Sequence, residues 1–359
     1  MSMDVRDVVA DLVFIVRSPV DGVDIAVSES AKLSRAWRRI SVALRVFGNP
    51  WVLPRDFRRE LVSIANSYFS AGSDPSIAFL ALVSKFSGWL NQRLEWQSRA
   101  LTAVIATAIM LGIASFLTIL GAPPTVSLIG VALIPLIHYY QVELVRYDYA
   151  KPTLAGLVGG ALAYAVGGHL LGLDGLRLVI LITMGFSLGF AALYMPQFIA
   201  FVRNYLGMPQ RVLASFNELL TVPNPQPPRP ITVIERELRP LWDYAYSVGV
   251  REFVERVNIV VDSLIDFIRR SVMTGVTYGP LISIGYAFMA FTAYILAGIH
   301  ATGFAGLGIP LNLNPQLIDS TLILLALVTS MLVGKAMHSI GLGISLVPLF
   351  LLPIIPLVW

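Results

Sequence analysis

The sequence predicts an all-α, polytopic membrane protein with about seven transmembrane helices and two helical segments in the cytoplasm. Of its 359 residues, 56% are hydrophobic and 13% are charged, whereas roughly a quarter of the residues in a soluble domain are charged. Apolar stretches long enough to cross a bilayer alternate with polar stretches. Most of the Lys and Arg residues lie in two of the polar stretches, which indicates that both stretches face the cytoplasm.

The first polar stretch, residues 1–99, has the pattern of a bundle of amphipathic helices. Apolar residues recur at helical spacing from Val8 to Val16, and the turn sequence Ser18–Gly22 then breaks the chain. We expect a second helix from about Val23 to Val46, because no helix breaker interrupts it before Gly48.

Two further helices complete this stretch. Pro54 suits the first turn of the third helix, whose inner face repeats apolar side chains. Asp74 suits the N-cap of the fourth helix, with Pro75 at its first position. No strong breaker follows, so the sequence predicts one continuous helix from Pro75 to Leu120 that leads from the bundle into the first span.

Seven apolar runs approach the length of a transmembrane helix. About 20 mostly apolar residues cross roughly 30 Å of hydrocarbon. Four predicted spans fall within residues 100–202 and three within residues 272–359. They are residues 100–120, 125–142, 154–171, 178–202, 272–299, 317–333 and 340–358.

The second polar stretch, residues 203–271, contains a proline-rich interruption. A helical pattern extends to Leu220, but five of the eight residues from Pro223 to Pro230 are proline. Proline at this density excludes a helix and favours a stiff, extended connector. The helical pattern returns from about Thr232, and its inner face runs from Phe253 to Leu264.

The distribution of basic residues predicts the orientation. If the N-terminus is cytoplasmic, 25 of the 26 Lys and Arg residues fall on the cytoplasmic side and only Arg177 lies outside. Because basic residues near span ends favour the cytoplasm, we expect a multi-pass protein of the cell membrane with a cytoplasmic N-terminus. Apart from Asp319 near the start of the sixth span, the predicted spans contain no Asp, Glu, Lys or Arg, which argues against an ion-coupled transporter.

Glycines in the spans are compatible with two functions. Close packing of helices is favoured by Gly156, Gly160, Gly167 and Gly168 in the third span and by Gly334, Gly341 and Gly343 near the last two. Transporters use similar glycines to break helices around a substrate path. We expect packing, and a multi-span small-molecule transporter is the alternative function.

No motif in the sequence indicates an enzyme. The absence of cysteine excludes disulfides and thiolate metal sites. There is no Gly-rich phosphate loop and no His-Glu-x-x-His sequence. We therefore predict no catalytic residue, no cofactor and no metal. The basic blocks also lack the interleaved aromatic residues of a nucleic-acid-binding protein, so no nucleic acid is expected as a partner.

Clustered arginines are the candidate partner-binding residues. One interpretation is a solvated helix face that also contacts anionic lipid. The other is a docking surface for an acidic partner. The sequence leaves both open. The candidates are Arg35, Arg38, Arg39, Arg55, Arg58, Arg59, Arg236 and Arg239.

Three local sequences resemble one known family. Leu61–Asn66 followed by Ser70–Ser76 resembles its helix, small-residue turn and next helix, and Trp89–Arg99 resembles the polar stretch before its first span. Leu12–Ala31, with its Ser-Pro-Val-Asp-Gly turn, resembles its opening helical hairpin. The family is that of the type II secretion system F domain, which occurs in membrane platform proteins of type II secretion, type IV pilus and archaellum machines. The seven-span layout looks like that of the archaeal members.

The resemblance implies a scaffold without an active site. Platform proteins of this family sit at the base of a filament and are thought to couple a cytoplasmic secretion-type ATPase to the insertion of pilin-like subunits. It implies these two partners and assembly into a homo-oligomer. The long helix that begins at Pro75 would suit a lever between motor and membrane.

Overall fold

The computed structural model of the chain describes residues 3–53, 56–119, 135, 137, 139, 142–143, 148–227, 229–302 and 315–355. Its helices are α1 (Val5–Asp21), α2 (Val23–Leu33), α3 (Arg35–Phe47), α4 (Phe57–Ser70), α5 (Pro75–Ile119), α6 (Ala150–Tyr164), α7 (Gly175–Thr221), α8 (Val233–Val248), α9 (Arg251–Thr302), α10 (Pro315–Ala336) and α11 (Ile340–Leu351). Two-residue strands β1 (Met3–Asp4) and β2 (Val142–Glu143) pair in parallel. The predicted all-α class is confirmed.

The chain divides into two compact units. Unit 1 contains Met1–Trp96, Val142–Val145 and Val202–Ser271. Unit 2 contains Gln97–Gln141, Arg146–Phe201 and Val272–Trp359. The two polar stretches of the sequence therefore belong to the same folded unit, although more than 100 residues separate them along the chain.

Helix α1 forms the centre of unit 1. It packs against α2, α3, α4 and α8, and every residue from Val8 to Val16 is buried. Phe14 stacks on Trp37 of α3 with ring centroids 4.5 Å apart. A helix buried on all sides is typical of a bundle core, so the apolar spacing seen in the sequence understates how deeply α1 is enclosed.

The end of α1 differs from the predicted boundary. The helix continues through Pro19 to Asp21 instead of stopping before Ser18. Pro19 falls in the last turn, where its missing N–H costs one hydrogen bond. The end of the helix is held by Asp21, which accepts hydrogen bonds from Arg17 at 2.7 Å and from Tyr244 of α8 at 2.8 Å.

The predicted second helix, residues 23–46, is two helices in the structure. Ser34 breaks the helix by adopting an extended backbone, and its hydroxyl accepts from the N–H of Ala36 to cap α3. The same hydroxyl donates to Asp7 of α1. The contact between Ser34 and Asp7 therefore stabilises a helix break that no Gly or Pro in this segment predicts.

Other boundaries confirm the sequence-based prediction. Helix α5 begins at Pro75, and the N–H of Ser76 donates to the Asp74 carboxylate at 2.8 Å. Helix α8 begins after Thr232, which forms a reciprocal capping box with Glu235. In both cases the signal is local, so it can be recognised from sequence.

Two helices of the described residues are long and apolar enough to cross a membrane. They cover Ala150–Leu170, which is α6 with its π-helical end, and Gly175–Thr221, which is α7. These helices coincide with the third and fourth predicted spans. The other five spans stay predictions, and the second, residues 125–142, lies almost wholly outside the described residues.

Close backbone packing joins α6 to α7 within unit 2. A Cβ on Gly159 would overlap the carbonyl oxygen of Gly185, so only glycine allows this approach. Gly334 of α10 meets the backbone of Gly343 of α11 in the same way. Gly156 lies against the side chain of Phe186. These contacts confirm the predicted close packing at Gly156, Gly334 and Gly343.

Candidate docking surfaces

The structure separates the candidate arginines into exposed and enclosed groups. Arg55 lies outside the described residues. Arg35, Arg38 and Arg39 are exposed on α3, Arg236 and Arg239 are exposed on α8, and Arg58 and Arg59 are enclosed at the start of α4. The clustering seen in the sequence therefore does not correspond to one surface.

Arg58 belongs to a buried clamp that joins three helices. Its Nε lies 2.6 Å from Oδ1 of Asp11, and its Nη2 lies 3.2 Å from Oδ2. The indole N–H of Trp37 donates to the same carboxylate at 2.7 Å. Asp11 is fully buried, and 11% of the Arg58 side chain is exposed. Arg58 therefore holds α4 to α1 and α3, and is not presented to an outside partner.

The environment of the clamp shifts both of its titrating groups. Burial raises the pKa of Asp11 to about 6, against the opposing effects of the Arg58 guanidinium and the Trp37 N–H. Burial lowers the pKa of Arg58, but the carboxylates of Asp11 and Asp56 leave it above its usual value. At neutral pH both partners are charged, so the ion pair is intact.

Arg59 stabilises the connection between α3 and α4. It is buried, and its Nη1 donates to the carbonyl oxygen of Leu53 at 2.8 Å. Its guanidinium lies 4.2 Å from the ring centroid of Trp51, a cation–π contact. Like Arg58, it serves the fold of unit 1.

The exposed arginines of α3 lie beside exposed apolar side chains. Arg35, Arg39 and Arg45 have no carboxylate within ion-pairing distance among the described residues. Four apolar residues nearby are more than half exposed. We call the α3 face the set Arg35, Arg38, Arg39, Val42, Arg45, Val46, Phe47 and Trp51.

Sequence reasoning recognised only the first three arginines of the α3 face. The missed signal is the spacing of Arg35, Arg39, Val42 and Val46, which are 4, 3 and 4 residues apart and so share one side of a helix. Their exposure is visible only once Trp37 and Ile40 are known to bury the opposite side.

A small basic pocket lies between the end of α7 and the start of α8. Its volume is about 140 Å³, and we call it the α8 notch. Its lining combines three arginines with apolar side chains, Ser215 and Glu235. The lining includes Arg211, Arg229 and Arg239, together with Val212, Phe216, Leu238 and Trp242. A concave site of this size accommodates one inserted side chain.

The charges of the α8 notch are only partly neutralised. Arg211 pairs with the buried Glu235 at 2.7 Å, whereas Arg239 and the exposed Asp243 are 3.8 Å apart. Arg229 comes from the proline-rich connector, is exposed, and has no ion pair among the described residues. The notch therefore favours an anionic group.

Two contacts position the Trp242 ring in the lining of the notch. The indole N–H of Trp242 donates to the carbonyl oxygen of Ser215 at 3.0 Å, and its ring stacks on Tyr246 at 5.6 Å. Sequence reasoning identified Arg239 but missed Arg211 and Arg229, because the three arginines come from different segments of the chain.

No grouping of three or more His, Cys, Asp or Glu that could hold a metal occurs in the described part of the chain. No family model, curated protein or solved structure matches the chain.

Proposed function

We propose that the chain is a non-enzymatic membrane platform for a type IV pilus-like or archaellum filament. In this role it couples a cytoplasmic secretion-type ATPase to the insertion of pilin-like subunits. The proposal includes seven spans, a multi-pass location in the cell membrane and a cytoplasmic N-terminus.

The composition of unit 1 is the observation that carries this proposal. Residues 1–96 fold together with residues 202–271, and β1 pairs with β2 at Val142–Glu143. A folded polar unit lies on one side of a membrane. A chain that spans the membrane therefore crosses it an even number of times between residues 97 and 141, and again between residues 146 and 201. Two pairs of spans, with the intervening loop inside, satisfy this requirement.

Labelling of single cysteines tests the topology, and the natural chain helps because it contains no cysteine. We expect Asp24→Cys, Asp148→Cys and Glu255→Cys in intact cells to react with an impermeant maleimide only after permeabilisation. Asp174→Cys, in the turn between α6 and α7, is the matched outside position and should react at once. Labelling of Asp24→Cys from outside would overturn the orientation.

The α8 notch is the surface we assign to the ATPase. Its three arginines and apolar lining residues suit an acidic side chain followed by an apolar one on the motor. Arg236, exposed on the same helix, extends the basic surface and is paired only weakly with Glu237 at 3.4 Å.

Binding of the purified secretion-type ATPase to the full chain in nanodiscs tests this assignment. We expect saturable binding that the double reversal Arg236→Glu with Arg239→Glu weakens. No binding to the natural chain, together with intact filaments in cells that lack the gene, would overturn the platform proposal.

The alternative of a small-molecule transporter has less support. The space beside the glycines that could have formed a substrate path is occupied by neighbouring backbones and side chains in α6, α7, α10 and α11. Solute uptake by reconstituted liposomes would nevertheless favour the transporter and count against a platform.

A further inference from the structure

We propose that the α3 face binds the surface of an anionic phospholipid bilayer. The inference deepens the membrane role proposed above by naming a lipid-binding surface. It rests on the location of the chain in a membrane and not on the ATPase.

Charge supplies the first step of the argument. Arg35, Arg39 and Arg45 are exposed without a carboxylate partner in the described residues, and Arg38 makes one hydrogen bond, to the carbonyl oxygen of Ala31 at 3.2 Å. A surface with four arginines and no acidic residue of its own is complementary to anionic headgroups. Arg251, exposed on α9 of the same unit, differs because it pairs with Glu255 at 3.0 Å.

Exposed apolar side chains supply the second step. Val42, Val46 and Phe47 are 57%, 65% and 61% exposed, and Trp51 just beyond α3 is 53% exposed. Arginines interspersed with aliphatic and aromatic residues on one helix are typical of segments that lie in a membrane interface. Trp51 is stacked on Arg59, which fixes its ring at the edge of the face.

Shape and tethering favour a bilayer over an acidic protein. The α3 face is the convex side of a helix, whereas the α8 notch is concave and suits an inserted side chain. Unit 1 is also covalently joined to α6 and α7, the two helices that can cross a membrane. A membrane that holds them is therefore present at a high effective concentration, so weak contacts suffice.

The test uses the full chain with the single substitution Val46→Cys, labelled with an environment-sensitive fluorophore. The labelled protein is placed in nanodiscs of phosphatidylcholine with or without phosphatidylglycerol. We expect a blue shift and protection from iodide quenching only with phosphatidylglycerol, and loss of both in high salt. Glu252→Cys, exposed on α9 and in no ion pair among the described residues, is the matched control and should show neither change.

Two variants separate lipid from an acidic protein. Arg39→Glu with Arg45→Glu should abolish protection, since loss of each arginine lowers the ratio of bound to free face about fivefold. Arg39→Lys with Arg45→Lys should keep it, because lipid binding depends on charge and not on the two-pronged geometry of arginine. Both pairs are exposed, so neither change should disturb the fold.

The outcomes decide between the proposals. Equal quenching at Val46→Cys in both kinds of nanodisc would overturn the lipid surface. Protection that appears only on addition of the ATPase, or that the lysine variant loses, would also overturn it in favour of an acidic protein. If the chain does not bind the ATPase but the probe at Val46→Cys is still protected by anionic lipid, only the assignment of the α8 notch to the ATPase is overturned.

Discussion

Two arginine pairs in unit 1, twenty residues apart in the sequence, differ in their exposure to solvent. Arg38-Arg39 lies on the outside of α3, whereas Arg58-Arg59 lies inside at the start of α4. Both pairs belong to amphipathic helices. Asp11 makes the difference, because a buried carboxylate on α1 needs a cation and Arg58 is within reach. An acidic residue within an apolar stripe thus marks where an arginine is enclosed.

The largest effect expected from this difference is on stability. Arg58→Ala strands the buried Asp11 carboxylate and should lower the free energy of unfolding by about 3–5 kcal/mol. Arg35→Ala, the exposed counterpart, should change it by less than about 0.5 kcal/mol. Denaturant unfolding of the chain in detergent, followed by tryptophan fluorescence, measures both.

A double-mutant cycle sharpens this prediction. Asp11→Ala with Arg58→Ala should cost less than the sum of the single changes, because the second change removes the stranded charge. Equal losses for Arg58→Ala and Arg35→Ala would contradict the contrast between the two pairs.

The next largest effect concerns the second residue of each pair. Arg59→Ala removes a charged hydrogen bond to Leu53 and the contact with Trp51, and should lower the free energy of unfolding by about 2 kcal/mol. Arg39→Ala, which loses no such contact, is the matched control. Similar thermal unfolding midpoints for the two variants would show that the contacts of Arg59 contribute no more to stability than the exposed side chain of Arg39.

A third prediction compares α8 with α3 in partner binding. Arg229→Glu with Arg239→Glu should raise the Kd for the ATPase about tenfold, which corresponds to about 1.4 kcal/mol. Arg35→Glu with Arg39→Glu should leave that Kd within about twofold, because the α3 face is assigned to lipid. Calorimetry in nanodiscs measures both, and the reverse order of effects would exchange the two assignments.

Per pH unit, the smallest expected effect is the pH dependence of the clamp. The pKa of Asp11 is about 6 in the folded chain and has an ordinary value of 3.8, so between these values the folded chain holds a proton that the unfolded chain has lost. The free energy of unfolding should therefore fall as pH rises through this window, by at most about 1 kcal/mol per pH unit.

Asp11→Asn provides the reference for this measurement, since asparagine does not titrate. The free energy of unfolding of the natural chain, minus that of Asp11→Asn, should be highest below pH 4 and should fall as the pH rises towards 6. A flat difference across this range would show that Asp11 does not take up a proton on folding.

Local signals made much of the helical layout predictable. Asp74 before Pro75, Thr232 with Glu235, and Gly48 each act within one turn of the chain, and each marks a helix end in the structure. Their hydrogen bonds join residues close in sequence, so the pattern of residue types is sufficient.

What the sequence left open depends on distant partners. Ser34 ends α2 because Asp7 accepts its hydroxyl, and Arg58 is enclosed because Asp11, 47 residues away, is buried. The α8 notch likewise combines Arg211, Arg229 and Arg239 from separate segments. Hydrophobic periodicity reports which side of one helix is buried, but not which charges meet between helices.

The packing of α1 against α8 also constrains the order in which the protein can be completed during synthesis. Arg6 pairs with Glu237 at 3.1 Å, and Asp21 accepts a hydrogen bond from Tyr244. Helix α1 therefore cannot make these contacts until α8, which is synthesised more than 200 residues later, is available. Until the ribosome has passed α8, one side of α1 is uncovered. A nascent chain halted before residue 230 would therefore be a ready substrate for chaperones and proteases, although its first bundle is already fully translated.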